Sequence, residues 1–414
     1  MKKVILVGIL FCNILFSQSV MYTCKPSNHL REGAGSFFPL MDVIASNVKV
    51  EVLEKNARWI KVKLPDGRIG WMSDQNLANE PVSKVANTGG NVPVKVSKVA
   101  ITAAIKGFAQ KIKAADLQSV DYLIEFPNTK FTANEFNSFL VPFKYTKSNN
   151  VGELDLSDAD FKIPSYDPDL NELQIGYTVA ARLASKGIIK DNKLTKYVNL
   201  IAAAIVNKNE IYGYDFNVFI LNDNTVNGFA CPGGIIFITK GALDKCSDEA
   251  ELAAIIAHEM IHVIQRHGLQ EITQRKVNIK SDDAFSELDE EFSEDEMDEK
   301  DKEYKAVEED LIKMAESAYE KVVHKRLLEY ELEADKGAAI LIANAGYDPF
   351  AIARMTKKLA AIPKPKVDIF DSEYLAPDDA KTRAEKAEKF CNGEFNKKKP
   401  GATMQDRFSY YTRN

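Results

Sequence analysis

The segment 255–267, with the sequence IIAHEMIHVIQRH, is the feature that most constrains how this chain can fold. Most of its residues are apolar, yet it contains three of the five histidines of the 414-residue chain. A helix with so apolar a surface has to be buried, and burying Glu259 beside two histidines is costly unless another group compensates them. Metal coordination supplies that compensation. The competing interpretation is a core helix that contains histidines but binds no metal.

The spacing of the polar residues in this helix favours the metal site. His258 and His262 are four residues apart, so they lie one above the other on one face, where both imidazoles can reach a single zinc ion at about 2.0–2.1 Å. Glu259 lies about 100° further round the helix, beside the ion. A general base at that position can take the proton from an attacking water. The pattern H-E-x-x-H therefore predicts metal-assisted hydrolysis.

A catalytic zinc needs a third protein ligand, and the segment LLEYELEADKGA offers four acidic candidates. Glu331 and Asp335 are four residues apart and face one direction. Glu331 would ligate the zinc, and Asp335 would accept a hydrogen bond from a ligating histidine. Glu329 and Glu333 are the competing ligands, but Glu333 has no acid four residues on, and Glu329 is followed there by another glutamate. Taken alone, this helix would be interpreted as a solvated charged face.

The donor that stabilises the developing oxyanion is left open by the sequence, with Arg383, Asn227 and His267 as candidates for this role or for substrate contacts. His267 follows His258 by nine residues, which corresponds to about 900° of helix, a half-turn away. We therefore expect His267 on the opposite face of the helix, in a structural role.

The N-terminus predicts export. Lys2 and Lys3 precede a short apolar stretch that ends near two serines, which is typical of a secretory signal peptide over residues 1–19. An uncleaved anchor is the alternative. The mature protein is then expected to be periplasmic or secreted, without a transmembrane segment. Its four remaining cysteines, at positions 24, 231, 246 and 391, permit two disulfides, but free buried thiols are an equal alternative.

The net charge of −6 argues against nucleic acid as a partner. Much of this charge lies in an acidic insert, residues 280–304, because its positions 282–303 contain thirteen acidic residues and two lysines. Few apolar residues and a high charge predict disorder in this insert. Binding of a basic partner is the alternative.

The remaining pattern predicts two domains. Residues 20–79 alternate in short strands, with a Pro-Asp-Gly turn between the strands of RWIKVKLPDGRIGWM, and predict a small all-β barrel. A linker over 80–96 and a mixed segment over 97–168, with a capping box at Thr132 and Glu135, come next.

Residues 169–395 are mostly helical, with helices over 170–185, 194–208, 247–268 and 306–345 and two strands at FNVFIL and GIIFIT. Residues 396–414 form a C-terminal tail. The expected fold class is therefore α+β, a helical domain with a small sheet preceded by the barrel.

Two resemblances follow from these motifs. The segments LREGAGSFFPLMDVI and VEVLEKNARWIKVKLPDGRIGWM resemble the bacterial SH3-like domain, which implies a cell-wall or peptide ligand. The segments NELQIGYTVAARLAS, NGFACPGGIIFITKGAL, DEAELAAIIAHEMIHVIQRH and EYELEADKGAAILIANAGYDP resemble, in this order, the zinc metallopeptidase family of the CAAX-prenyl protease, HtpX and BepA type.

The second resemblance implies a zincin-type endopeptidase with one Zn²⁺ per chain. Its ligands would be His258, His262 and Glu331, with Glu259 as base and Asp335 supporting a ligand. It also implies that the strand at 235–239 borders the cleft and pairs with extended polypeptide substrates. One departure concerns Ala376, which stands where many relatives have a histidine that can reach the open zinc position, so that form of self-inhibition is not expected.

The function expected from these observations is exported, zinc-dependent hydrolysis of envelope or secreted proteins. The alternative is a chaperone or assembly factor with a latent zinc site, and Glu259 argues against it because a purely structural site has no use for a base. A third possibility, suggested by the SH3-like domain alone, is a peptidoglycan hydrolase.

Overall fold

The structure, a computed structural model, describes residues 19–25, 28–56, 58–82, 116–128, 130–145, 170–209, 211, 214–269, 315–319, 322, 327–362, 377–396 and 401–413. Nearly all of the expected signal peptide and linker, the acidic insert and Ala376 lie outside these residues. The chain divides into two compact units. The first comprises residues 1–35 and 40–93, and the second comprises 36–39 and 94–414.

The first unit is an antiparallel sheet with the strand order β3-β2-β6-β5-β4-β1-β7. Its strands are β1 (Val20–Thr23), β2 (Asn28–Arg31), β3 (Leu40–Ile44), β4 (Lys49–Asn56), β5 (Trp59–Lys63), β6 (Ile69–Ser73) and β7 (Leu77–Ala78). Alternate apolar side chains from these strands, among them Leu30, Val62 and Met72, form its core. The short strands expected from the sequence are confirmed.

Two glycines shape the hairpin of this sheet. Gly67 adopts a φ of 90° in the Pro-Asp-Gly turn between β5 and β6, a left-handed conformation that favours glycine. Gly70 lies against β2, where a Cβ atom would be 2.7 Å from Cγ of Leu30 and 2.9 Å from the carbonyl oxygen of Arg31. The Gly-Trp pair of the sequence motif therefore permits close packing of β6 on β2.

The second unit is mostly helical. Its described helices are α1 (Leu117–Glu125), α2 (Ala133–Tyr145), α3 (Leu170–Ala184), α4 (Asn192–Lys208), α5 (Lys240–Lys245), α6 (Glu249–Ile264), α7 (Leu328–Asn344), α8 (Ala351–Ala360), α9 (Pro377–Phe395) and α10 (Gln405–Thr412). The expected capping box begins α2, because the Glu135 carboxylate accepts the Thr132 N–H at 2.7 Å and Glu135 N–H donates to Thr132 Oγ1 at 3.2 Å. Together with the first unit, these helices confirm the α+β class. None of the described helices is both long enough and apolar enough to cross a membrane.

A small sheet lies beside these helices, with the strand order β8-β10-β9. Its strands are β8 (Asn217–Leu221), β9 (Gly228–Ala230) and β10 (Ile235–Thr239). Strand β10 pairs with β8 in parallel and with β9 antiparallel, so both of its edges are hydrogen-bonded. The expectation that β10 pairs with substrate is therefore wrong. Among the described strands, β9 forms one edge of this sheet and β8 forms the other.

Helices α6 and α7 carry the sequence motifs and pack against each other. Helix α6 begins after Asp248, whose carboxylate accepts the Glu251 N–H at 2.9 Å as an N-cap. Helix α7 ends before Gly346, which has a φ of 91°, as the sequence predicts. Its start differs from the expected Ala306, because Leu327 has an extended backbone (ψ 137°) and α7 begins only at Leu328.

Candidate metal centre

Three buried side chains from α6 and α7 converge on one point. The Nε2 atoms of His258 and His262 are 3.1 Å apart. Glu331 reaches both from α7, with Oε2 3.4 Å from His258 Nε2 and Oε1 3.4 Å from His262 Nε2. The helical spacing in α6 and the packing of α7 on it thus bring the three predicted ligand residues together.

The donor set and its dimensions fit a zinc ion. Two imidazole nitrogens and one carboxylate oxygen are a common ligand set of catalytic zinc, and a tetrahedral site with bonds of 2.0–2.1 Å separates its ligand atoms by about 3.3 Å. The three separations observed here are 3.1 to 3.4 Å. Within the described part of the chain, this is the group of histidine, cysteine and acidic side chains that could hold a metal ion.

Asp335 and Arg383 contact two of these three side chains, His258 and Glu331. Asp335 Oδ1 lies 3.0 Å from Nδ1 of His258, on the side of the ring opposite to the convergence point. Arg383, from α9, donates from Nε and Nη2 to the two oxygens of Asp335 at 2.8 Å each. Its third nitrogen, Nη1, lies 2.5 Å from Oε2 of Glu331. One guanidinium therefore fixes the orientation of two carboxylates.

These contacts set the charges in the centre. Burial alone would raise the pKa of Glu331 and Asp335, but the Arg383 charge and hydrogen bonds with the histidines hold both below their ordinary values. Burial disfavours the charged form of His258, yet the carboxylates of Asp335 and Glu331 outweigh it and raise its pKa to about 9. A cation that binds at His258 Nε2 therefore competes with a proton there.

Glu259 directly follows His258 in α6, and its carboxylate lies against β9. It is buried, and a Cβ atom at Gly228 would lie 2.5 Å from its Oε1 and 2.9 Å from its Cδ. The carboxylate therefore needs a residue without a side chain at position 228. Sequence reasoning did not identify Gly228, although it stands in the motif NGFACPGG; a glycine inside a strand pattern is the signal for such a close approach.

The outer edge of β9 faces away from the rest of the small sheet. Cys231 N–H donates to Ile235 O at 2.8 Å, and Asn227 O accepts from Thr239 N–H at 3.1 Å, so the backbone groups at 227 and 231 point towards β10. By two-residue alternation, those of Gly228 and Ala230 point outwards. Asn227, half-buried, uses its Oδ1 to accept the outward Gly228 N–H at 2.9 Å.

His267 is not on the face expected from the sequence. Helix α6 ends at Ile264, and Arg266 takes a left-handed conformation (φ 56°) that turns the chain back. Nδ1 of His267 then lies 2.8 Å from Nδ1 of His262. The expectation that His267 lies on the opposite face assumed a continuous helix, and it is wrong for that reason.

The other two acids of the α7 motif lie away from the convergence point. Glu329 is exposed at the start of the helix. Glu333 is partly exposed, and its Oε2 lies 3.4 Å from Nε2 of His267. Of the three candidates for the third ligand, Glu331 alone has its carboxylate between His258 and His262.

Comparison with known proteins finds two families in the chain. Residues 189–389 match the peptidase family M48, and residues 29–78 match the bacterial SH3 domain. The chain contains a peptidase family M48 domain. The resemblances inferred from the sequence motifs are thereby confirmed.

Curated relatives match the chain over short stretches. The beta-barrel assembly-enhancing protease of Escherichia coli K12 is 33% identical over 97 residues, which are 23% of this chain and 20% of that protein. The mitochondrial metalloendopeptidase OMA1 of Arabidopsis thaliana is 28% identical over 150 residues, 36% of this chain and 27% of that protein. OMA1 of Schizosaccharomyces pombe is 33% identical over 78 residues, which are 19% of this chain and 23% of that protein. The chain thus spans about a fifth to a quarter of the length of these relatives.

The M48 domain includes all of the predicted site residues, since the range 189–389 runs from before β8 into α9. Arg383, one of the candidates for an oxyanion donor, has each of its three guanidinium nitrogens next to a carboxylate oxygen. That geometry favours a positioning role for Arg383 over direct contact with a reacting oxygen.

Proposed function

We propose that this chain is an exported zinc-dependent endopeptidase that cleaves envelope or secreted proteins. The observation that carries the proposal is the convergence of His258 Nε2, His262 Nε2 and the Glu331 carboxylate within 3.1 to 3.4 Å of one another. Membership of the domain in a peptidase family agrees with it. Export rests on the signal-peptide pattern of residues 1–19.

His258, His262 and Glu331 would hold one Zn²⁺. When bound, the ion supplies Lewis-acid chemistry, because it polarises a carbonyl and lowers the pKa of water. Asp335 keeps the proton of His258 on Nδ1, 3.0 Å away, which leaves Nε2 free to bind. Arg383 holds Asp335 and Glu331 in ionised form and in fixed orientation.

Glu259 performs the proton transfer. Glu259 directly follows His258 in α6 and is buried, so it would lie beside the ion held by His258 and could accept the proton of the attacking water. It then returns this proton to the leaving amine of the cleaved peptide. Because Gly228 leaves space for the carboxylate, β9 can pass close to the reacting atoms.

Substrate would bind as an added strand on β9. The backbone groups of Ala230 point to its outer edge, and an extended peptide can pair with such an edge through main-chain hydrogen bonds. Because such pairing uses only the main chain of the peptide, it suits an enzyme that cleaves polypeptides of varied sequence. Asn227, which holds the Gly228 N–H at this edge, would adjoin the bound strand.

The first unit would bind a cell-wall or peptide ligand, as expected of a bacterial SH3 domain. Tethering the peptidase domain to such a ligand would concentrate the enzyme near its substrates. Co-sedimentation of the full chain with isolated cell wall would measure this ligand binding separately from proteolysis.

The deciding experiment compares the wild-type chain with Glu259→Gln on an unfolded substrate such as casein, with zinc content measured on both. We expect stoichiometric zinc in both chains and cleavage by the wild type alone, because an amide cannot accept the proton. Glu329→Gln is the matched control, since it makes the same change at an exposed position. A fully active Glu259→Gln chain would contradict the proposed role of Glu259. Cleavage of purified peptidoglycan instead of casein would favour the wall-hydrolase alternative.

A further inference from the structure

The turn that follows α6, at Gln265 and Arg266, brings the chain back towards the candidate metal centre. Arg266 is one of the few non-glycine residues with a positive φ, at 56°. Its Nη2 lies 3.1 Å from Oε2 of Glu172, a buried carboxylate of α3. This ion pair with a buried carboxylate holds Arg266 in the left-handed conformation, and the backbone there determines where the next residue, His267, points.

His267 is fixed by contacts on three sides. Its side chain is 1% exposed. The ring stacks on Tyr330 of α7, with centroids 4.3 Å apart and planes at 13°. Nδ1 lies 2.8 Å from Nδ1 of His262, and Nε2 lies 3.4 Å from Oε2 of Glu333. The two imidazole rings therefore meet through their Nδ1 atoms.

This contact determines where the protons lie. If His262 binds zinc through Nε2, that nitrogen carries no proton, and the proton of the neutral ring is on Nδ1. At 2.8 Å, the Nδ1–H of His262 then donates to Nδ1 of His267, which has to be an acceptor. His267 accordingly carries its proton on Nε2, the nitrogen that faces the Glu333 carboxylate. His262 thus donates to His267, whose own N–H faces the accepting Glu333 carboxylate.

We propose that His267 is a positioning residue that fixes the ring orientation and the tautomer of His262 for zinc binding. The proposal rests on the proposed function, because it assumes zinc at His262 Nε2. It assigns the two histidine ligands different supports: a carboxylate held by Arg383 for His258, and a neutral imidazole for His262. Residues that orient a ligating histidine usually accept its second ring proton, and His267 is placed to do this.

The test uses two nearly isosteric substitutions, His267→Leu and His267→Asn. Both remove the ring that stacks on Tyr330, but Asn retains an oxygen near the position of Nδ1 that can accept a hydrogen bond. Zinc affinity is measured by competition with a chelator, and thermal unfolding is measured after metal removal. We expect His267→Leu to weaken zinc binding about 10–100-fold, and His267→Asn to retain most of the wild-type affinity, while the two chains unfold at similar temperatures without metal.

The outcomes separate the two proposals. A wild-type chain that binds no zinc overturns the proposed function and this inference with it. Normal zinc binding by the wild type together with equal affinities of the Leu and Asn variants overturns the role of His267 alone.

A second measurement requires no variant. Nitrogen-15 NMR of histidines in the zinc-loaded wild type should find the proton of His262 on Nδ1 and that of His267 on Nε2. A proton on Nδ1 of His267 would overturn the inference even if the Leu variant did not fold.

Discussion

Gly228 and the Glu259 carboxylate are so close that a single methyl group at position 228 would lie 2.5 Å from Oε1 of Glu259. The two residues come from different elements, the edge strand β9 and helix α6. Their contact couples the proposed base to the strand proposed to bind substrate. A change at either residue is therefore expected to alter catalysis before it alters metal binding.

Gly228→Ala should lower kcat at least about tenfold, since displacing a base from its productive position costs this much or more. Zinc content should stay normal, because the three atoms nearest to the added Cβ all belong to Glu259 and none belongs to a proposed zinc ligand. Gly393→Ala is the matched control: a Cβ atom there would have nothing within 4 Å, and the residue lies in helix α9. It should leave kcat unchanged. Normal kcat in Gly228→Ala would show that Glu259 can move away without loss, and that its observed position is not the reactive one.

The assignment of the third ligand predicts a graded series. Glu331→Ala should lose both zinc affinity and activity, because the carboxylate is 3.4 Å from each ligating nitrogen. Asp335→Ala should lose about 10–100-fold in affinity or activity, as expected when the partner of a ligating histidine is removed. Glu329→Ala and Glu333→Ala should hold zinc normally. If Glu331→Ala retained zinc and one of these neighbouring variants lost it, the third ligand would be that neighbour and the assignment to Glu331 would be wrong.

The chain's periodicity was sufficient to predict the parts of the site that lie within one helix. His258, Glu259 and His262 follow from the geometry of α6 alone. The pairing of Glu331 with Asp335 follows from the same spacing in α7. In each case the residues lie within one unbroken helix, so the four-residue spacing alone places them on one face.

The remaining parts depend on where a helix stops and on what packs against it. His267 was misjudged because nothing local marks Arg266 as a left-handed residue; the ion pair with Glu172, 94 positions earlier in the sequence, holds it. The role of Gly228 depends on β9 meeting α6, which is a long-range contact. Arg383 was named from the sequence, but its carboxylate partners could be identified only once α9 had docked on α7.

The cysteines are predicted to differ in reactivity. Burial raises the pKa of the Cys391 thiol to about 12, and it raises that of Cys246 well above the ordinary value. At pH 8 a thiol with a pKa of 12 is ionised in about one molecule in ten thousand, and the thiolate is the reactive form. Cys24, which is only partly buried, should therefore react first with iodoacetamide in the native chain.

Peptide mass spectrometry of the labelled chain measures this order, and labelling in urea is the control in which Cys24, Cys231, Cys246 and Cys391 should all react. Cys391 labelled as fast as Cys24 in the native chain would contradict the burial of its thiol. A cysteine that stays unlabelled in urea until a reductant is added would reveal a disulfide, the other possibility that the sequence leaves open.

The C-terminal segment, which was expected to be a tail, contributes a buried ion pair to the helix that bears the proposed zinc ligands. Glu249, the first residue of α6, is fully buried, and its carboxylate accepts from Nε of Arg407 in α10 at 2.6 Å and also from Nη2. The hydroxyls of Tyr197 and Tyr347 donate to the same carboxylate at 2.8 Å and 2.6 Å. These four donor contacts connect α4, α10 and the segment after α7 to the start of α6.

Arg407→Ala should destabilise the chain by about 3 kcal/mol, since removing one partner leaves a buried charge without its counter-ion. The melting temperature should fall by roughly 6–12 °C on this basis. Arg413→Ala, an arginine lost from an exposed position of the same segment, is the control and should change little. The double variant Arg407→Ala with Glu249→Gln should recover part of the loss, because a neutral amide can accept from one tyrosine hydroxyl and donate to the other without burying a charge. If the double variant were less stable than Arg407→Ala, the loss would come from other contacts of the arginine and not from the charge. These contacts include its hydrogen bond to the Phe139 carbonyl at 2.8 Å and its packing on the Phe139 ring, whose centroid is 3.8 Å from the guanidinium carbon.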